Sequence, residues 1–370
     1  MTCSAVSRLS TFQAPPSDQV EVVLLGPRYG EALCVHIGDN RWLAVDSCLY
    51  GRPAMPAALF YFDKIGVSAD RLELVCVTHW HDDHVRGISE LVRQAASAKV
   101  VIPEALQRKE FMVLAARFGG ESLTGGAKEL FNLYNNFRGT RSFVLAGESK
   151  LILKDQTSAG AVEVWAMSPS SAEVVQCLAD IGKLIPQEGE PLGKLPKQHP
   201  NHLAMVLLVK VGSASMLFGA DLEQVSHADQ GWNGVLASVA AQGSVSTLFK
   251  VPHHGSVTAY NADVWHKMLA ADATSLVTPF HFGSSKLPTP EEISAIKAHT
   301  QHIFITTEQP LVRPRLAKPA VVERELKDRT SGQKGLYQER AEPGAVRCRF
   351  SVGSEVPLWE VGLYEGAKAL

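Results

Sequence analysis

Apolar and polar residues alternate along the chain in short blocks, and several apolar blocks end at a glycine, an aspartate or a histidine. Short blocks rich in β-branched residues predict strands, because a strand buries a few consecutive residues between turns. The second and third predicted strands are separated by the turn Gly38–Asn40. In chain order, the predicted strands are Val20–Leu25, Ala32–Ile37, Trp42–Val45, Leu74–Val77, Ala98–Ile102, Ser142–Val144, Leu151–Leu153, Val162–Met167, His202–Val211, Ala214–Phe218, Thr247–Val251, Ser275–Pro279, His302–Thr307, Arg347–Val352 and Leu358–Leu363.

Other segments place apolar residues three and four positions apart, which is the spacing of one helix face. A capping box, Thr289 to Glu292 with proline at the first helical position, begins the last predicted helix. Aromatic residues recur between 111 and 137, where a helical core face is the favoured interpretation and a wall of a substrate cleft is the alternative. The predicted helices are Met55–Ile65, Gly87–Ala96, Glu104–Phe118, Ala127–Phe137, Ser171–Ile185 and Pro290–Ala298.

Composition is that of a globular protein, with 370 residues, 45% hydrophobic and 20% charged. The net charge of −2 gives no overall basic character for non-specific nucleic-acid binding, although a local basic groove stays open. The six cysteines are scattered without CxxC pairs, so we expect small core residues rather than a disulfide framework. No signal peptide is visible and no apolar run approaches the ~20 residues that span a membrane, so a cytoplasmic protein is expected.

The chain divides by pattern into three segments. Residues 1–18 are polar and contain proline, which predicts a loose leader. Residues 19–310 carry the alternating strands and helices, with a helical insert at about 103–140 and a long exposed loop at Pro186–Pro200 that is either a seam between two halves or a mobile flap. Residues 311–370 form a C-terminal extension with the last two predicted strands and no assigned chemistry.

One loop concentrates the candidate chemistry. Three histidines and two aspartates lie within 79–84, directly after the predicted strand Leu74–Val77 and before a predicted helix. A strand-to-helix loop is a common place for a ligand site, and imidazole with carboxylate suits divalent metals. In an extended segment His79 and His81 point to one side, while Asp83 and His84 follow a turn and reach a second position. The alternative of a solvated histidine-rich loop is disfavoured by the dense spacing, which also selects Asp83 over its neighbour Asp82.

Polar residues also follow three other predicted strands, one before the loop 79–84 and two after it. Val45 is followed by Asp46, Phe218 by Gly-Ala-Asp221, and Val251 by Pro-His253-His254. Asp46 is expected either to orient a ligand histidine by accepting its hydrogen bond or to cap a turn.

The spacing His79-x-His81-x-Asp83-His84 after an apolar strand resembles the signature of the metallo-β-lactamase fold superfamily. The segment Lys250 to Ser256 resembles one branch of it, the C-terminal domain of the bacterial DNA-uptake (competence) protein and the choline-phosphate esterases. The resemblance covers about residues 20 to 310. It implies an α/β fold, a four-layer αββα sandwich of two mixed β-sheets flanked by helices, and two divalent metal ions, zinc first with manganese as the alternative.

The resemblance also implies roles. His79 and His81 would hold the first metal, Asp83, His84 and one of the pair His253 and His254 the second, and Asp221 would bridge both. His254 is favoured as the ligand and His253 as a substrate contact or proton donor, with the reverse open.

Two departures from the branch leave a ligand open. An Asn-x-x-Ser segment of the branch is Asn201-x-x-Ala204 in this chain, and the superfamily's Gly-His-Thr ligand segment is absent. Asn201, His202 or a water could be the third ligand of the first metal. In the branch the loop before the last helix lies near the site, so His281 and Lys286 either contact substrate anions or are surface residues.

The function implied is phosphodiester hydrolysis of nucleic acid or a smaller molecule by a metal-activated hydroxide, with catalytic roles for Asp83 and His253. Related stand-alone domains in bacterial phage-defence operons suggest an effector role with protein partners, and no membrane partner is expected. The alternatives are hydrolysis of an ester, thioester or lactam, and a non-catalytic interaction module that keeps the fold.

Overall fold

Two large β-sheets, described in a computed structural model of the chain, organise the fold. The structure describes residues 3–107, 125–137, 139–184, 200–283, 285–307, 343–351, 353 and 358–370. Strands are numbered in chain order as β1 (Cys3–Leu9), β2 (Gln19–Gly26), β3 (Ala32–His36), β4 (Trp42–Val45), β5 (Leu49–Tyr50), β6 (Met55–Pro56), β7 (Leu72–Cys76), β8 (Lys99–Pro103), β9 (Phe143–Ala146), β10 (Lys150–Thr157), β11 (Gly160–Ala166), β12 (Leu207–Val211), β13 (Ala214–Phe218), β14 (Ser246–Lys250), β15 (Leu269–Val277), β16 (Phe280–Phe282), β17 (Ser285–Leu287), β18 (Ile303–Ile305), β19 (Gly344–Ser351), β20 (Trp359–Tyr364) and β21 (Lys368–Ala369).

The strand order explains how the polar strand ends meet. The first sheet has the order β1-β20-β19-β2-β3-β4-β7-β8-β9 and the second β10-β11-β12-β13-β14-β15-β18-β21. Strands β4, β7 and β8 run parallel in the first sheet, and β13, β14 and β15 run parallel in the second. Carboxyl ends of parallel neighbours lie at the same edge of a sheet, so the residues that follow these strands are brought together.

Helices cover the outer faces of the sheets. The described helices are α1 (Ala57–Ile65), α2 (Asp82–Val85), α3 (Ile88–Gln94), α4 (Gly125–Phe137), α5 (Ser171–Leu184), α6 (Gly231–Ala237), α7 (Ala262–Lys267) and α8 (Pro290–Lys297). The capping box of α8 is present, with the Thr289 hydroxyl accepting from the Glu292 amide.

Three apolar cores separate four layers. Within β2, Val22 and Leu24 face the core between the two sheets, whereas Val23 and Leu25 face the core under α1 and α3. On the second sheet Leu208 faces a third core that includes residues of α6 and α7. This period of two is what a strand buried on both faces requires. The fold is therefore the predicted αββα sandwich of two mixed sheets, which is the metallo-β-lactamase fold.

The predicted elements largely match, but some differ in type or bounds and others were missed. Residues Cys3–Leu9 are not a loose leader, because they pair in parallel with β20. Met55–Pro56 is a short strand, so α1 begins only at Ala57. The predicted strand from His202 begins at Leu207, because Pro200–Leu203 is a 3-10 turn. The helices α6 and α7 and the hairpin β16–β17 were not predicted.

Several predictions concern regions of limited description. Glu104–Gln107 is a 3-10 turn rather than the start of a helix, and the rest of that predicted helix lies outside the described residues, as does almost all of the loop 186–200. β19 and β20 of the predicted extension lie inside the first sheet, between β1 and β2. The proposed boundaries at 18 and 310 stay a prediction.

Cysteine placement follows the expectation where the structure describes it. Four of the side chains are buried and that of Cys177 is half-buried; the four are Cys34, Cys48, Cys76 and Cys348. Among the described helices none combines the length and the apolar character that crossing a membrane would require.

Candidate metal centre

Two groups of metal-ligand atoms share one carboxylate. The first group is His79, His81 and Asp221, and the second is Glu31, His84, Asp221 and His254. In each group one ligand atom per residue lies within 4.8 Å of all the others. Along the chain the outermost of these residues, Glu31 and His254, are 223 positions apart, and the strand ends of both sheets bring them together.

The loop after β7 supplies three of these side chains and is tied to its neighbours by backbone hydrogen bonds. His81 is the extended N-cap residue of α2, and His84 lies within that helix. The amide of Ser47 donates to the His84 carbonyl at 2.7 Å, and the amide of Glu31 donates to the Asp83 carbonyl at 2.9 Å. These bonds fix the backbone of the loop against the ends of β4 and β3.

Asp46 lies behind His84 and holds its ring. Oδ2 of Asp46 lies 2.7 Å from Nδ1 of His84, and Oδ1 accepts from the Thr78 amide at 2.7 Å. A proton on Nδ1 leaves Nε2 of His84 to face the centre. The structure thus places Asp46 beside the ring of His84, and the two roles expected for Asp46 were this orienting contact and a turn or helix cap.

The donor atoms at the centre fit metal ions. Nε2 of His84 and Oδ1 of Asp221 are buried, and neither has a hydrogen-bond partner among the residues that the structure describes. They lie 3.3 Å apart and point into the same space. Buried polar atoms without partners are costly, and a cation coordinated by both would satisfy them. Imidazole nitrogens with carboxylate oxygens are a donor set suited to zinc or manganese.

The histidines of the centre differ in electrostatics. Burial lowers the pKa of His79 well below its usual value and also lowers that of His81, so both rings are neutral and ready to bind a cation. Burial acts in the same direction on His84 and His254, but the surrounding carboxylates, with Asp221 first, raise the pKa of both above the usual value. The second group therefore collects more negative charge than the first.

Burial opposes ionisation of Asp221, yet the neighbouring rings of His84 and His254 hold the pKa of its carboxyl well below the usual range. His254 is aligned by its far nitrogen, since Nδ1 lies 3.2 Å from the Thr278 carbonyl oxygen. Its Nε2 faces the centre. The structure thus brings His254, rather than its neighbour, into the second group.

Asp83 and Asp82 point in different directions. Oδ2 of Asp83 lies 3.1 Å from Nε2 of His254 and 3.8 Å from Nε2 of His84, beside the second group but outside the set of atoms that share one centre. Asp82 instead accepts from the Gly126 amide and pairs with Arg86 at 3.4 Å. Of the two aspartates, Asp83 is therefore the one that lies next to the second group, and its role as a metal ligand stays a prediction.

Sequence reasoning missed Glu31 and Lys250. Lys250 is 0% exposed, contacts Oε1 of Glu31, donates to the Ala220 carbonyl at 3.0 Å and lies 3.9 Å from Oδ1 of Asp221. A lysine inside the apolar strand Thr247–Val251 was a signal, because lysine is almost never fully buried without a partner. Glu31 lies between β2 and β3 and carried no comparable signal.

A second polar cluster lies beside the first group. Nδ1 of His253 lies 3.3 Å from Oε1 of Glu223 and 3.0 Å from the Thr258 hydroxyl, and its Nε2 lies 3.3 Å from Nδ2 of Asn201. His202 pairs with Glu223 at 3.5 Å, which raises the pKa of His202. Asn201 and His202, the candidates for a third ligand of the first metal, thus face Glu223 and His253, and Asp221 completes the first group.

The two remaining predicted residues lie on the hairpin after β15. His281 pairs in register with Lys286, and the His281 amide donates to the Arg28 carbonyl at 2.7 Å. The hairpin is adjacent to the second group, since the rings of Phe280 and His254 have centroids 5.1 Å apart.

Fold and site together define a metallo-β-lactamase-fold protein with a histidine and carboxylate cluster of the metal-binding kind. The family model of the Metallo-beta-lactamase superfamily matches residues 33–117, which include the loop with His79 to His84. The match covers less than half of the chain, so it is a similarity to this superfamily in the part that contains the loop. No curated protein matches the chain.

Solved structures are similar at low identity. The metallo-beta-lactamase fold protein YhfI from Bacillus subtilis is 12% identical with a TM-score of 0.40, covering 79% of this chain and 97% of that one. The Rm3 metallo-beta-lactamase is 13% identical with a TM-score of 0.35, covering 65% of this chain and 78% of that one. Human tRNase Z, short form, is 13% identical with a TM-score of 0.31, covering 62% and 76% respectively.

Proposed function

We propose that this protein is a metal-dependent phosphodiesterase, of the kind that cleaves nucleic acid or a smaller phosphodiester. The observation that carries the proposal is the carboxylate of Asp221, which is common to both groups of ligand atoms. Its buried Oδ1 has no hydrogen-bond partner among the described residues. Divalent ions held there would polarise a phosphoryl oxygen and lower the pKa of a water molecule to near neutrality.

The chain's own residues have separable tasks in this proposal. His79 and His81 with Asp221 would hold one ion, and Glu31, His84 and His254 with Asp221 the other. Asp46 keeps Nε2 of His84 facing the centre, and Lys250 neutralises Glu31. A buried cation beside a carboxylate ligand limits the negative charge that the pocket carries when no ion is bound.

His253 is suited to transfer a proton to the leaving group. Its ring is only partly buried and is held by Glu223 and Thr258 at the edge of the centre. A carboxylate and a hydroxyl beside one ring nitrogen fix the orientation of the ring, as general acid catalysis requires.

The preference for a phosphodiester over a lactam or ester follows from charge and from the resemblance of Lys250 to Ser256 to the competence and choline-phosphate esterase branch. Arg28, Arg86 and Lys286 lie on the segments next to the second group. Cationic side chains at the edge of a metal centre favour an anionic substrate.

The test combines metal analysis with paired assays on the purified full chain. We expect about two equivalents of divalent metal per chain and turnover of bis(p-nitrophenyl) phosphate, with little turnover of a chromogenic cephalosporin or of p-nitrophenyl acetate. His81→Ala and Asp221→Ala should abolish turnover, whereas the exposed His227→Ala should not. Absence of metal would favour a non-catalytic module, and turnover of the cephalosporin or ester alone would replace the proposal with the other hydrolase class.

A further inference from the structure

A row of aromatic rings leads outward from the metal centre. The ring of His254 lies 5.1 Å from that of Phe280, Phe280 lies 5.5 Å from Tyr29, and Tyr29 lies 5.2 Å from Phe282, all between centroids. Phe282 at the outer end is 64% exposed. Single exposed apolar residues are ordinary, but this one continues a row that begins at a metal-ligand histidine.

Positive charge and unpaired donors accompany the row. The guanidinium of Arg86 lies over the Tyr29 ring, 5.0 Å from its centroid, and also pairs with Asp82. Nε of Arg28 and Nε2 of His281 are buried and have no hydrogen-bond partner among the described residues. Lys286 stands opposite His281 across the hairpin. Buried nitrogens of this kind are costly unless a ligand satisfies them.

The two features together describe a ligand that is planar at one end and anionic at the other. Stacking on exposed rings needs a flat π-face, which every nucleobase has. The cationic groups need an anion, which a phosphodiester supplies. A simple uncharged ester would leave Nε of Arg28 and the outer ring Phe282 without a partner.

We infer that the row formed by Tyr29, Phe280 and Phe282 is a stacking platform for an unpaired nucleobase, so that the substrate is a single-stranded nucleic acid whose adjacent phosphodiester lies at the metal centre. Bases inside a duplex are stacked on each other and cannot reach such rings without being splayed out. This inference rests on the proposed phosphodiesterase function and names its substrate class.

The test measures binding by the full-length protein as purified. The probes are a fluorescein-labelled thymidine hexamer with phosphorothioate linkages, which resists cleavage, and its abasic counterpart of equal length and charge. We expect the thymidine probe to bind about tenfold more tightly than the abasic one. Phe282→Ala and Phe282→Leu should remove that ratio, and Phe282→Trp should retain it.

The pair Phe282→Leu and Phe282→Trp separates stacking from apolar packing, because leucine keeps the apolar volume and loses the π-face. Equal binding of both probes by a protein that hydrolyses bis(p-nitrophenyl) phosphate would overturn the platform and leave the phosphodiesterase proposal intact. Full discrimination in Phe282→Leu would also overturn it. If the thymidine probe bound about tenfold more tightly than the abasic one but no phosphodiester were hydrolysed, the platform would be supported and the proposed phosphodiesterase activity would be contradicted.

Discussion

Asp46, which follows β4, and His84, in the loop after β7, form a contact at the metal centre. Oδ2 of Asp46 lies 2.7 Å from Nδ1 of His84, and both side chains are buried. Asp46 has a φ of 61°, a left-handed conformation that aspartate and asparagine tolerate better than most residues. The loop between β4 and β5 therefore keeps a strained residue in order to aim one carboxylate at one ring.

Asp46→Asn tests this relationship, because asparagine keeps the shape and the backbone conformation but loses the charge. We expect the affinity of one of the two ions to fall by about 10- to 100-fold, since partners of a ligand histidine contribute that much. Competition with a chromogenic chelator measures both affinities. Asp82→Asn, in the loop that carries His84, is the matched control, and an equal loss there would contradict the assigned role of Asp46.

His253 and His254 are adjacent and give a matched pair. His254→Ala should remove roughly one equivalent of metal, because its Nε2 belongs to the second group of ligand atoms. His253→Ala should retain the metal and lower kcat by about 10² to 10⁴-fold, as loss of a general acid does. Metal content by mass spectrometry together with phosphodiester turnover checks both. The reverse pattern would exchange the two roles.

The sequence predicted the strands and the loop at 79–84 because both are local. Buried strands are recognised from apolar runs such as Trp42–Val45. The spacing of the histidines lies within the six positions 79–84. That the loops carrying His79 and Asp221 come together was predicted only through a resemblance, because the distance between these residues depends on which strands are neighbours.

Glu31 and Glu223 could not be identified from sequence on physical grounds. Each is a single glutamate without a local pattern, and its importance arises from partners far along the chain, such as Lys250 for Glu31 and His253 for Glu223. β1 was missed for the same reason, because the edge that it pairs with is β20, which follows hundreds of residues later.

Lys250 gives a prediction about stability. In Lys250→Met the buried carboxylate of Glu31 loses its ammonium partner, and breaking a buried ion pair costs about 3–5 kcal/mol of unfolding free energy. Urea unfolding in the presence of a chelator should show this loss. With metal bound the loss should be smaller, because the ion takes the place of the lysine as the counter-charge of Glu31.

Lys210→Met is the control for this substitution. Lys210 lies in the same sheet and is half-buried, but its Nζ bonds the Ser244 hydroxyl at 2.9 Å rather than a carboxylate. We expect a loss of about 1 kcal/mol or less, equal with and without chelator. If Lys250→Met lost the same free energy in both conditions, the ammonium would be a packing group and not the partner of a metal ligand.

The buried ring of His36, outside the two groups of ligand atoms, should make the free energy of unfolding depend on pH. Its ring is 1% exposed, and Nδ1 lies 2.8 Å from the Gln19 carbonyl oxygen while Nε2 accepts from the Asn40 amide at 3.1 Å. Burial lowers the pKa of His36 from 6.5 to about 4. The neutral ring is therefore the folded form, whereas the unfolded chain takes up a proton as the pH falls below 6.5.

The contribution of His36 is consequently complete above pH 6.5 and is lost as the pH falls towards 4. Between pH 7.5 and 5.0 the loss should be about 2 kcal/mol, because each pKa unit corresponds to about 1.4 kcal/mol. His36→Gln should lower stability at pH 7.5 yet weaken the pH dependence by that amount, and the exposed His227→Gln should leave it unchanged. Urea unfolding at both pH values, with the difference taken between variants, removes the contribution of the carboxylates. An identical pH dependence in wild type and His36→Gln would show that the ring is protonated in the folded protein, in conflict with its hydrogen bonds to Gln19 and Asn40.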